Sequence, residues 1–113
     1  MKKILFAALL IMSITSCATK RLYSWYDYEN TAYEYSKTRT DELKEKLLKQ
    51  YKKITENQNG TRGVVPPGLC AEYGYLLYMT GQEEEGLNFL KEEIKLYPES
   101  EIYISRIIKQ LEK

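Results

Sequence analysis

Apolar residues are distributed along this chain in two ways. Between residues 4 and 14 they are nearly continuous, ILFAALLIMSI, whereas from residue 25 onward they recur at a helical period. Trp25, Tyr28, Ala32 and Tyr35 fall at i, i+3, i+7 and i+10, one face of a first helix. Leu43, Leu47, Tyr51 and Ile54, with Leu48 beside them, predict an amphipathic helix over residues 41–56 that ends near Asn57. Thr40 is its expected N-cap, and Asp41 and Glu42 suit the positive end of the helix dipole. Leu69, Tyr73, Leu76 and Leu77 define a third face with Tyr75, Tyr78 and Met79 on its flank; Pro67 suits the first turn of this helix and Gly81 its end. Leu87, Leu90, Ile94 and Tyr97 mark a fourth helix with an acidic first turn, stopped by Pro98. After Glu99 and Ser100, the stripe Ile104, Ile107, Ile108 and Leu111 marks a last helix. The expected fold is all-α, about five helices forming two antiparallel hairpins plus a capping helix. The polar face of that last helix, Arg106, Lys109, Gln110 and Lys113, would close the stack toward water.

The segment between the hairpins, NQNGTRGVVPPG at residues 57–68, gathers three glycines and two prolines and reads as a loop. Its length makes it a place for movement or contact, with Val64 and Val65 tucking it back onto the core.

The continuous apolar run has a different meaning. Lys2 and Lys3 precede it and small residues follow it, the layout of a secretory signal, and it is shorter than the ~20 residues needed to span a bilayer. The tetrapeptide Ile14-Thr15-Ser16-Cys17 resembles the lipobox of bacterial lipoproteins. That resemblance implies cleavage before Cys17, a diacylglycerol thioether on its sulfur and acylation of its new amino group. Three acyl chains, at ~0.8 kcal/mol per buried methylene, exceed what stable anchoring requires. Ala18, where an aspartate would favour retention in the inner membrane, implies delivery to the outer membrane, and the absence of acidic residues at 19–21 implies its periplasmic face. The chain thus divides into a signal peptide at 1–16, a lipidated anchor and tether at 17–24, and one helical domain at 25–113.

Charge and residue inventory then narrow the chemistry. Without the signal segment, 15 basic residues stand against 16 acidic ones, which argues against a nucleic-acid binder. Histidine is absent, removing the commonest general base and metal ligand, so no metal or other cofactor is expected. Cys70 is left without a disulfide partner and without a histidine to activate it. Asp27 and Glu29 are the only carboxylate pair set among aromatics, and at neighbouring helical positions they point apart. The expectation is a protein that is not an enzyme. Residues 37–53 carry seven basic and three acidic side chains, a surface for anionic lipid or an acidic partner, or simply a solvated face with pairs such as Glu45 and Lys49. Tyr23, Trp25, Tyr26, Tyr28, Tyr33 and Tyr35 form either an aromatic platform beside the membrane or a ligand, or the aromatic core of a small fold.

Residues 66–98 resemble a tetratricopeptide repeat, a helical hairpin of about 34 residues. The matching positions are Gly74, Leu77, Gly81, Gly86, Leu90 and Pro98; Cys70 and Glu93 stand where that pattern prefers tryptophan and alanine. Glycine at 74 and 86 would let the two backbones approach closely. Such repeats expose the first helix of each hairpin to partners, which here implies Ala71, Tyr75, Tyr78 and Met79 as the contact surface. More widely, the lipobox, YSWYDYE, PPGLCAEYGYLLYMTG and KLYPES are similar to an uncharacterised family of small bacterial outer-membrane lipoproteins. That resemblance implies an envelope protein partner, with a curli-secretion-channel-like (CsgG-like) lipoprotein and a second small lipoprotein as companions. It carries over no catalytic residue.

Overall fold

A computed structural model of the chain describes residues 2–5 and 21–113; Cys17 and its neighbours lie outside the described residues. After a helical turn at 2–5 come α1 (Tyr28–Lys37), α2 (Asp41–Glu56), α3 (Leu69–Met79), α4 (Glu83–Leu96), a 3-10 turn (Pro98–Ser100) and α5 (Glu101–Leu111), with no strand among the described residues. Short turns at 38–40 and 80–82 fold α1 on α2 and α3 on α4 as two antiparallel hairpins, and α5 packs on α4 as the final layer.

The caps follow from local chemistry. Thr40 takes an extended backbone, and its Oγ1 accepts a hydrogen bond from the Leu43 amide at 3.2 Å, closing the start of α2. α3 ends in a Schellman motif: Gly81, at φ +99°, donates to the Tyr78 carbonyl while Gln82 donates to that of Leu77. Two helix starts differ from expectation. α1 begins at Tyr28, because Tyr26 sits at φ +50° and turns the chain sharply before the helix. The Tyr26 hydroxyl donates to the Asn57 carbonyl and Lys53 Nζ lies 4.6 Å from its ring, so α2 braces this turn. α3 begins at Leu69 with Gly68 in the left-handed region at φ +88°, which leaves Pro67 in the preceding turn rather than in the helix.

The core lies between α2 and α3: Leu47, Tyr51 and Ile54 pack on Leu69, Tyr73 and Leu77. Trp25, Tyr28, Ala32 and Tyr35 cover it from the N-terminal side, so this part of the aromatic segment is core while Tyr33 remains exposed. Rings form a continuous ladder Tyr23, Trp25, Tyr28, Tyr51, Tyr73 and Phe89, with successive centroids 4.4–6.1 Å apart. It joins the segment before α1 to α4 across both hairpins.

The crossing of α3 and α4 is set by two glycines. A Cβ on Gly74 would stand 2.5 Å from the Gly86 carbonyl oxygen, and one on Gly86 would stand 2.5 Å from that of Gly74. Turning Gly86 toward α3 rotates α4, so its buried residues are Gly86, Leu90 and Glu93, while the expected Leu87, Ile94 and Tyr97 are only half-buried. On α5, which packs chiefly on α4 among the described helices, only Ile104 of the expected stripe is fully buried, while Ile107, Ile108 and Leu111 are half-buried.

Residues 21–24 are bound to the loop between the hairpins. Thr61 and Arg62 amides donate to the carbonyls of Arg21 and Leu22 at 3.0 and 3.2 Å. Gln58 donates from Nε2 to the Ser24 carbonyl at 3.2 Å and accepts from the Ser24 amide through Oε1, and the Asn59 amide donates to Ser24 Oγ. Loop and tether thereby satisfy one another's backbone groups, which otherwise neither helix nor sheet would supply.

Candidate functional site

The described surface has two clefts that share α3 as a ridge. One, of about 650 Å³, lies between α3 and α5, with residues from α4 and the 3-10 turn completing it. Its α3 wall is Ala71, Glu72 and Tyr75 and its α5 wall is Tyr103, Ile104 and Ile107. The other, of about 450 Å³, is bounded by Tyr28, Ala32 and Tyr35 of α1, by α2, and by Tyr75, Leu76 and Met79 of α3. The first helices of successive layers, α1, α3 and α5, therefore line one face of the molecule.

The four contact residues expected from sequence divide on this surface. Ala71 and Tyr75 line the α3–α5 cleft, and Tyr75 also joins Met79 in the α1–α3 cleft. Tyr75 is 48% exposed and Met79 60%. Tyr78 is not brought together with them. Its hydroxyl donates to the Leu111 carbonyl at 2.8 Å, tying the end of α3 to the end of α5. That bond, with Pro67 and Glu99 both at the opposite end of the cleft, shows that α3 and α5 run in the same direction.

Two carboxylates on the ridge and floor were not singled out as site residues by the sequence. Glu72 Oε2 accepts from the hydroxyls of Tyr28 at 2.6 Å and Tyr51 at 3.2 Å, linking α1, α2 and α3. Burial, followed by the adjacent Glu72, pushes the Tyr28 phenol up to about 12 and the Tyr51 phenol upward as well. Both therefore stay neutral donors at any ordinary pH.

Glu93 is 2% exposed, on α4 beneath the α3–α5 cleft. Its Oε1 accepts from the Gly68 amide, an N–H at the start of α3 that has no intrahelical acceptor. Its Oε2 has no hydrogen-bond partner among the described residues. A buried acceptor left unpaired costs about 1–3 kcal/mol. Burial raises the Glu93 pKa, the Gly68 hydrogen bond opposes the shift, and the charges of Glu72 and Glu99 add to it. The sequence signal for Glu93 was its place in the register Gly86, Leu90, Glu93, where a buried face otherwise calls for a small or apolar residue.

Cys70 is buried and unpaired, and burial, reinforced by Glu93 and Glu92, pushes its thiol up to about 12, leaving almost no thiolate at neutral pH. Among the described residues no group of three or more acidic or cysteine side chains is placed to hold a metal ion, and no helix is long and apolar enough to cross a membrane. On α2, Lys46, Lys49, Lys52 and Lys53 are exposed. Cys17 lies outside the described residues.

Compared with known proteins, residues 22–107 match the profile of a domain family described as DUF4810, a domain of unknown function. No curated protein and no solved structure matches the chain.

Proposed function

The chain belongs to the DUF4810 family, and we propose that it is a non-catalytic assembly protein of the bacterial envelope, lipid-anchored at Cys17 and docking a partner protein along α3. The observation that carries this reading is the exposure of Tyr75 and Met79 on a helix whose opposite face is fully packed. Tyrosine and methionine offer large adaptable contact area at small entropic cost, and here they stand on the ridge between two clefts. The anchoring part rests on residues 2–17: a short apolar run behind two lysines, then small residues and a cysteine. The outer membrane is the destination this reading assigns, and a CsgG-like lipoprotein with a second small lipoprotein are the companions to test first.

Affinity isolation of the tagged full chain from envelope membranes tests the docking part. A Tyr75→Ala/Met79→Ala double variant is expected to recover a defined envelope protein at least about tenfold less well, the loss of one or two interface anchors. Equal recovery would show that the partner docks elsewhere. For the anchor, Cys17→Ser is expected to abolish incorporation of a clickable palmitate analogue. A second reading, binding to anionic lipid through the exposed lysines of α2, predicts instead that membrane association without Cys17 persists and collapses with rising salt.

A further inference from the structure

The lining of the α3–α5 cleft is chemically one-sided. Its charged side chains are Glu72, Glu93 and Glu99, and no lysine or arginine among the described residues lines it, although the chain as a whole is close to neutral. Ser100 and Gln110 add uncharged polar groups, and the rest is mainly apolar and aromatic, with Ile104 and Ile107 on one wall and the rings of Tyr75 and Tyr103 on opposite sides; Tyr103 is 68% exposed. At the floor, Glu93 is almost wholly buried, one oxygen fixed on the Gly68 amide and the other without a donor among the described residues. Nothing on the floor supplies that donor, and a hydrogen-bonding cation from outside would supply it together with the opposite charge.

We propose that this cleft receives a lysine or arginine side chain, flanked by apolar residues, from a segment of the partner protein. The claim rests on the reading of α3 as the docking ridge and adds the chemistry of what docks. In the complex the cation sits between Glu72 and Glu99 at the rim and Glu93 at the floor. Its aliphatic stem lies along Ile104 and Ile107, and the faces of Tyr75 and Tyr103 accept its charge. An acidic or purely neutral segment would cover three carboxylates without supplying a counter-charge and would leave Glu93 Oε2 without a donor.

Selection of random heptapeptides displayed on phage against the full chain in detergent micelles tests this. The selected peptides are expected to be enriched in lysine or arginine beside leucine, isoleucine or aromatic residues. Glu93→Gln keeps an oxygen for the Gly68 amide but removes the charge, and is expected to weaken the selected peptides about tenfold, the size of one charge-assisted hydrogen bond. Glu99 is exposed, so Glu99→Gln leaves the fold intact and tests the same point should the Glu93 variant fail to fold. Peptides that bind both variants as well as the parent overturn the proposal. Apolar or acidic peptides whose binding falls with Tyr75→Ala overturn the cation while leaving the docking ridge standing, and no Tyr75-dependent peptide at all removes both. Selected peptides that copy residues 44–53 of this chain, with salt-sensitive self-association, would make the occupant a second copy and overturn the assignment to another protein.

Discussion

Gly74 and Gly86 face each other across the α3–α4 crossing, and their substitution sets two effects in opposition. Alanine in a helix interior is favoured over glycine by about 1 kcal/mol. A methyl group 2.5 Å from a carbonyl oxygen forces the helices apart, and overpacking of this kind costs about 1–3 kcal/mol. The atom in the way is backbone, which cannot rotate aside, so the steric term wins: after the helix-propensity gain is subtracted, Gly74→Ala and Gly86→Ala each lower stability in chemical denaturation by up to about 2 kcal/mol. Glu93 makes a pH-dependent counterpart. Its folded-state pKa is raised, so the folded state binds the proton more tightly than the unfolded chain does. Its contribution is fully present below the unfolded carboxylate range and is lost as pH rises through the folded value. Relative to the parent, a Glu93→Gln variant therefore gains stability as pH is raised from 4 toward neutrality, and denaturation curves at several pH values give that difference directly.

At the scale of elements, α2 was the most legible part of the chain. Its limits, its Thr40 cap and its buried face of Leu47, Tyr51 and Ile54 all follow from side-chain spacing and cap chemistry, which are local. Thr40→Ala is expected to cost about 1 kcal/mol and to leave the fold unchanged by circular dichroism. The starts of α1 and α3 were less legible because each is fixed by a distant contact. Tyr26 holds its left-handed backbone against Asn57 and Lys53, and Gly68 holds its own against Glu93, 25 positions away. The rotation of α4 also escaped the periodicity count, since a glycine facing a glycine outweighs two leucine-sized positions only once the partner helix is present. Residues 21–24 illustrate the same limit: their role depends on Gln58, Asn59, Thr61 and Arg62 of a loop that local pattern marks only as irregular. Gln58→Ala removes both the Oε1 acceptor and the Nε2 donor to Ser24, and is expected to speed amide hydrogen exchange at Ser24 and Asn59 at least about tenfold, the loss of roughly 1–2 kcal/mol of local protection.

For the whole molecule, the ring ladder from Tyr23 to Phe89 and the triad of Tyr28, Tyr51 and Glu72 bind the two hairpins into one unit. That rigidity gives the clefts beside α3 a fixed shape, so Tyr75 and Met79 are held in place for a partner rather than collapsing onto the surface. The tether enters this unit at Arg21, four residues after Cys17, a span of roughly 14 Å at full extension. If Cys17 is acylated, the domain stands close to the bilayer, and its partners are those confined to the same surface. Sequence pattern reached the flank containing Tyr75, Tyr78 and Met79 but could not separate its members. Only the position of α5 shows that Tyr78 is bonded to Leu111 while Tyr75 faces the clefts. That separation supplies the most direct measurement. A photo-crosslinking amino acid placed in the living cell at position 75, and in parallel at position 78, should give a defined adduct with one envelope protein from 75 and little or none from 78. No adduct from 75 while an exposed control such as Tyr33 gives one, or equal adducts from 75 and 78, would contradict the docking ridge.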